Sequence, residues 1–385
     1  MPSAPTTSLD LTDPGFVADP YPWFAAERAR HPVAWHDGLG QWLAFDHASV
    51  SSVQRDRRFG RVWQDREPAS YLEPFNLLHR HQMMENEPPE HTRLRRPVAR
   101  AFARGHVDRL RPRVRELADE LLGEVDPAGF DVVADYAEPL PVLVIAELLG
   151  VDRSMVGSLR TWSQAIVRMY EPAPDDEVVG AAVSAAGEFA DLVRELLGER
   201  RVHPRDDLLS DLAATELTEA EQVASAVLLL NAGHEASVNV FGNGLVALLE
   251  RGLRPGPRVE PCVEEMLRFD AALQLFERTA LETVELGGVV VEQGQRLAVL
   301  LGSANRDPAV FEAPDELRVE RDPNPHLSFG VGVHFCLGAP LARMELAESV
   351  TALFDRFPGL GLVEPPAPSH TFVLRGRRGV RVSAG

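Results

Sequence analysis

Apolar side chains recur every three to four residues through most of the first two-thirds of the chain, a spacing that predicts helices packed by one face. Helices are expected at Tyr21 to Arg30, from Pro89 to about Leu122, at Leu140 to Leu149, at Ser158 to Met169 and at Val178 to Glu199. A longer one should open at Thr218, where Thr218-Glu219-Ala220-Glu221 reads as a capping box, and run through Val223 to Leu249. Period-two alternation is scarcer. It predicts short strands around Val33 to His36 and Trp42 to Phe45, and further strands within Thr283 to Leu301, turning at Gly287-Gly288, and within Thr371 to Val382. Glu364-Pro365-Pro366-Ala367-Pro368 reads as a rigid exposed connection rather than a domain linker. The pattern predicts a mainly α fold with small β-sheets, as a single domain over residues 1–385.

Charge and cysteine content narrow the function. The formal net charge is -19 and every basic side chain other than histidine is Arg, which argues against nucleic acid as the main partner. Only Cys262 and Cys336 are present, so a disulfide framework is excluded and a reducing cytoplasm is the expected compartment. Met1 to Gly15 has neither a basic start nor an apolar run. The apolar stretches Val142 to Ile145 and Val227 to Leu230 meet Glu147 and Asn231 too early to span a bilayer. No membrane association is expected.

Candidate chemistry concentrates in Phe329-Gly330-Val331-Gly332-Val333-His334-Phe335-Cys336-Leu337-Gly338-Ala339-Pro340, followed by a helix from about Leu341 to Phe354. Glycines at 330, 332 and 338 permit tight turns and close approach to a flat partner, and Pro340 suits a first helical turn. Cys336 should therefore sit just before a helix N-terminus, where backbone N–H groups favour the thiolate that ligates metals. No second Cys or paired His stands at zinc-site spacing, whereas one Cys suffices for the proximal side of a haem.

The run Phe-Gly-x-Gly-x-His-x-Cys-x-Gly resembles the haem-binding signature of bacterial cytochromes P450. Glu265-Met266-Leu267-Arg268 is similar to that family's Glu-x-x-Arg motif, and Arg321 to its third member. The resemblance implies the cytochrome P450 fold with a long central helix over the haem, and Cys336 as axial ligand of the iron of haem b. Implied haem contacts are Phe329, Gly330, His334 and Gly338 from the cysteine loop, His91, Arg95 and Arg278 at the propionates, and Ala232 and Gly233 on the long helix. Glu265, Arg268 and Arg321 would brace the loop. Positions 91 and 95 share a helix face, and Pro97 should kink that helix. Arg93, Arg96 and Arg100 lie on another face, either solvated or docking an acidic ferredoxin-type donor.

Ala232-Gly233-His234-Glu235-Ala236-Ser237 resembles the segment on the oxygen-binding side. Catalytic roles would fall to Cys336, Glu235, Ala236 and Ser237, with Glu235 relaying protons. Ala236 stands where many relatives carry Thr, and Ser237 is rotated about 100° around the helix, so a substrate hydroxyl or a water chain is the expected substitute. Substrate walls implied by the resemblance are Phe75, Met83, Met84, Met169, Leu230, Asn231, Asn239, Leu275, Phe276 and Phe372, with Asn231 or Asn239 as polar anchor for a medium-sized organic molecule. The implied activity is dioxygen-dependent hydroxylation or epoxidation in bacterial secondary metabolism. Electrons would come from NAD(P)H through separate proteins, since no flavin or iron–sulfur segment is visible. A carrier-protein-bound substrate stays open, as do two alternatives raised by the missing Thr: oxidative coupling without oxygen insertion, and a non-catalytic haem-binding recruitment or sensor protein.

Overall fold

The computed structural model describes residues 4–367, 369 and 371–384, so the expectations placed on Met1 to Ser3 and on Pro368 lie outside the described residues. The capping box at Thr218 forms: its hydroxyl accepts from Glu221 N, and the Glu221 carboxylate accepts from Thr218 N at 2.8 Å. From this cap the helix runs Glu219–Glu250, about 48 Å at 1.5 Å per residue. Its side chains are buried on nearly every side, as befits a helix threading a core rather than lying on it. The helices Glu73–Arg80, Pro139–Leu149, Val156–Val167, Asp176–Val202, Val259–Phe269 and Ala339–Arg356 pack around it. A Cβ on Gly244 would meet Met266 side-chain atoms at 2.5 Å, so a glycine there lets the Val259–Phe269 helix close on the long one.

The Arg-rich segment forms two helices, Glu90–Ala99 and Arg104–Glu124, instead of one. Pro97 lies inside the first and has no N–H to offer the Arg93 carbonyl, and that helix stops two residues later. A six-stranded sheet has the order Thr6–Thr7, Val33–His36, Gln41–Ala44, Arg296–Leu300, Leu275–Ala280, Phe59–Gly60. Val284–Leu286 and Val289–Val291 form a hairpin across Gly287 and Gly288, both at positive φ.

The alternation over Thr371 to Val382 is mostly not strand: it yields one bridge, Leu273 to Leu374, and the strand Arg381–Ser383. The Glu171 carboxylate accepts the N–H groups of Phe372, Val373 and Leu374, which removes them from any ladder. Among the described residues no helix is long and apolar enough to cross a membrane.

Candidate functional site

The cysteine loop is laid against the His47–Arg55 helix. Gly332, at φ 80°, has the Gln54 carbonyl where a Cβ would stand, 2.2 Å away, and Val331 N donates to Gln54 Oε1 at 3.1 Å. Cys336 N donates to the Phe329 carbonyl at 2.9 Å, which closes the loop on itself. The loop then enters the Ala339–Arg356 helix, with Pro340 in its first turn. A Cβ on Gly338 would lie 4.0 Å from Cys336 Sγ, and the Phe329 ring lies under the Arg343 guanidinium at 4.5 Å.

Burial pushes the Cys336 thiol up, outweighing the N–H groups of Gly338 and Ala339 and the charges of Arg95 and Arg343, which pull it down. This corrects the expectation from the helix N-terminus alone. The loop softens the cost of a thiolate, and a counter-charge such as a bound metal is needed to complete it.

Ahead of the loop, Glu265 and Arg268 are completely buried, joined by bonds of 2.7 and 2.8 Å, and Arg321 Nε reaches the same carboxylate at 3.0 and 3.1 Å. Asn324 Nδ2 and Arg318 N also donate to Glu265, while Arg268 reaches the carbonyls of Asn305, Pro314 and Glu316. No charge in the cluster lacks a partner, which is the condition for burying it.

Four nominated groups gather at one edge of the loop. The His91 ring lies 4.6 Å from that of His334, and both its nitrogens are buried without a partner among the described residues. Burial, then the charges of His334 and Arg95, bring its pKa down to about 4, so the ring is neutral. Arg95 Nη2 donates to the Phe335 carbonyl at 2.8 Å, and His334 Nε2 donates to Glu87 at 2.8 Å.

Arg278 is buried on strand Leu275–Ala280, donates to the Glu277 carbonyl, and faces no carboxylate within ion-pair range among the described residues. Burial, then repulsion from Arg61, lowers its pKa to about 9. A buried guanidinium without a carboxylate and an orphaned buried imidazole suit an acidic edge, so the residues present fit a haem with its propionates. Arg93 is not a free docking charge: Glu90 and Glu221 hold it, leaving Arg96 and Arg100 exposed on that face.

On the long helix, Ala232 is exposed and Gly233 and Ala236 are half-exposed within an otherwise buried stretch, so this face leaves room for a flat partner. Glu235 has one buried oxygen without a hydrogen-bond partner among the described residues. Burial and then Glu138 raise its pKa to about 7, against the opposing charges of Arg378 and Arg160. Across from Ser237, on the Ala339–Arg356 helix, Glu345 is a buried carboxyl that burial pushes up to about 8, against the pull of the neighbouring Ser237 hydroxyl. Sequence reasoning missed Glu345. Its signal was an acid set among Met344, Leu346 and Ala347 in an apolar helix.

The proposed substrate walls divide. Phe372 packs 4.8 Å from Phe16 and 6.2 Å from Phe24 in the core beside the N-terminal helices, so it is filling rather than lining. Asn239 abuts Gly376, and Leu230, Phe75 and Met83 belong to the main core. Phe276 lies between Arg61 and Arg278, with Leu275 half-buried beside it and Met84 half-buried in its own turn. Buried Met169 gives its carbonyl to Arg66. Asn231 keeps a buried Oδ1, without a partner among the described residues, beside His79, Gln82 and Tyr170, three residues the sequence reading passed over.

Residues 257–378 match the family model for Cytochrome P450. The chain is 37% identical to Cytochrome P450 monooxygenase PikC of Streptomyces venezuelae, over 94% of this chain and 90% of that protein. It is 38% identical to 6-deoxyerythronolide B hydroxylase of Saccharopolyspora erythraea over 93% of each. The structure of P450BioI in complex with hexadec-9Z-enoic acid ligated acyl carrier protein superposes with a TM-score of 0.92 at 30% identity, covering 96% of this chain and 99% of that one.

Proposed function

The chain belongs to the cytochrome P450 family, and from that premise we propose that it is a monooxygenase that hydroxylates or epoxidises a medium-sized organic molecule in bacterial secondary metabolism. The observation that carries this reading is the pairing of the braced Cys336 loop with a helix face of small residues, flanked by His91, whose ring nitrogens have no partner among the described residues, and by Arg278, which has no carboxylate partner among them. Cys336 Sγ would ligate the haem iron, Arg278, His91 and Arg95 would hold the propionates, and His334 would steady that edge through Glu87. Bound haem supplies the reduction of dioxygen and the transfer of one oxygen atom to the substrate.

The chain's own part includes the protons. Glu345, neutral at pH 7, and the Ser237 hydroxyl beside it are a pair of groups that can hold and exchange a proton next to the long helix. The pair stands in for the hydroxyl missing at Ala236, with the substrate hydroxyl or water chain expected from sequence completing the path to the Ala236 face. Glu235, with a pKa near 7, suits proton exchange on the other side of the helix, toward Glu138 and Arg160. For electrons, exposed Phe335 on the cysteine loop with Arg96 and Arg100 supports docking of an acidic ferredoxin-type donor fed by NAD(P)H. The carrier-protein complex among the similar structures favours testing carrier-bound substrates too.

The test is product analysis under labelled dioxygen, with surrogate ferredoxin, reductase and NADPH. The probe panel includes 6-deoxyerythronolide B and hexadec-9Z-enoic acid, the latter both free and carrier-bound. One labelled oxygen atom in the product supports monooxygenation. An oxidised product without label would mean coupling or ring formation, and a reducible holoprotein that oxidises nothing would point to recruitment or sensing.

A further inference from the structure

Between the Glu73–Arg80 helix, the long helix and Tyr170 lies a cavity of about 10 Å³, bordered by Leu78, Val227, His79, Gln82, Tyr170 and Asn231. It has room for one water or one hydroxyl. Its polarity follows from an ordered chain of protons. Burial brings the His79 pKa down to about 4, so the ring is neutral and carries a single N–H. Its Nδ1 lies 2.8 Å from the Phe75 carbonyl, which can only accept, so the proton is on Nδ1. Nε2 is then an acceptor, and the Tyr170 hydroxyl 3.0 Å away donates to it. With that proton committed, Tyr170 Oη offers the cavity only lone pairs.

Asn231 Oδ1, buried on the long helix one residue before Ala232, adds a second acceptor with no partner among the described residues. Gln82 contributes an amide that can serve in either sense. The surrounding charges disfavour a cation. Arg66 lies over the Phe75 ring at 5.4 Å and donates to the Met169 carbonyl, and the nearby carboxylate, Glu85, is already paired with Arg61.

We infer that Asn231 and Tyr170 form a hydroxyl-selecting niche: the substrate carries a neutral hydroxyl that donates into this cavity while the rest of the molecule lies along the helix face of Ala232 and Ala236. The niche rejects an ether, which has no proton to give, and an ammonium, which would sit unpaired beside Arg66. Leaving Asn231 Oδ1 without a donor is the cost that discriminates. This inference rests on the haem-pocket reading above.

The experiment titrates the holoprotein with imidazoles bearing a phenyl or biphenyl arm that ends in hydrogen, hydroxyl, methoxy or aminomethyl at the meta or para position, and follows the Soret shift. At one arm length or more, the hydroxyl probe should bind about tenfold tighter than its methoxy twin, the value of one well-made hydrogen bond. Asn231→Leu and Tyr170→Phe should each shrink that ratio to about twofold or less. The ratio is internal to each variant, and the shift with the unsubstituted arm shows that the variant is folded and loaded. Equal binding of hydroxyl and methoxy probes at every arm length, or a preference that survives both substitutions, overturns the niche. No shift with any probe would instead count against the haem reading itself.

Discussion

Single residues carry the chemistry, and they differ in how far sequence exposes them. Glu265, Arg268 and Arg321 are legible because a buried ion cluster restricts both residue type and spacing, and Cys336 because the turns of its loop demand glycines at fixed distances from it. Glu345 and the His79–Tyr170 pair are not, because their meaning comes from partners on distant elements: Ser237 lies on another helix, and Tyr170 meets His79 from 91 residues away. The proton relay makes two predictions. Ser237→Ala and Glu345→Gln should each lower product formed per electron consumed by roughly tenfold or more, with peroxide rising to match and haem content unchanged. Coupled turnover equal to wild type in both variants would remove the relay.

The second prediction concerns stability. Glu345 stays protonated to about pH 8 when folded but ionises near its ordinary 4.5 once unfolded. Across that window the folded chain holds the extra proton, so stability falls as pH rises, by up to about 1.4 kcal/mol per pH unit. Denaturant titrations should show that slope flattened in Glu345→Gln, whereas parallel pH profiles would contradict a buried neutral carboxyl.

At the scale of elements, caps and periodicity placed most of the expected helices to within a few residues, the Glu219–Glu250 helix included, while shorter ones such as His47–Arg55 and Glu73–Arg80 went unread. Two expectations failed for local reasons. The Arg-rich periodicity continues past the point where Pro97 withholds a donor, and the alternation after Thr371 says nothing of a carboxylate at Glu171 that takes the donors a strand would need. The cap at Thr218 can be tested alone: Thr218→Ala should cost about 1 kcal/mol in chemical denaturation, and no loss would mean that the Glu221 side of the box, held also by Arg93, suffices.

For the molecule as a whole, family membership was legible because three motifs appear in order, whereas the substrate was not, because cavity walls are indistinguishable from core until the fold brings them together. Phe372 and Asn231 show the two outcomes, one packed into core and one left with an unmet oxygen. The charge of -19 also makes exposed Arg96 and Arg100, on the helix whose Arg95 touches the cysteine loop, a local exception. Arg96→Glu with Arg100→Glu should slow reduction by an acidic ferredoxin by about tenfold at low salt, with the difference shrinking as ionic strength rises. Stopped-flow rates unchanged by the double substitution would place the donor elsewhere.

The central claim is that Cys336 binds haem iron as a thiolate, and the most direct measurement is the absorption spectrum of reduced protein under carbon monoxide, for wild type and Cys336→Ala side by side. A strongly red-shifted Soret band in wild type that is lost in the variant is the predicted result. A folded wild type without haem, or a band that survives loss of Cys336, would contradict it.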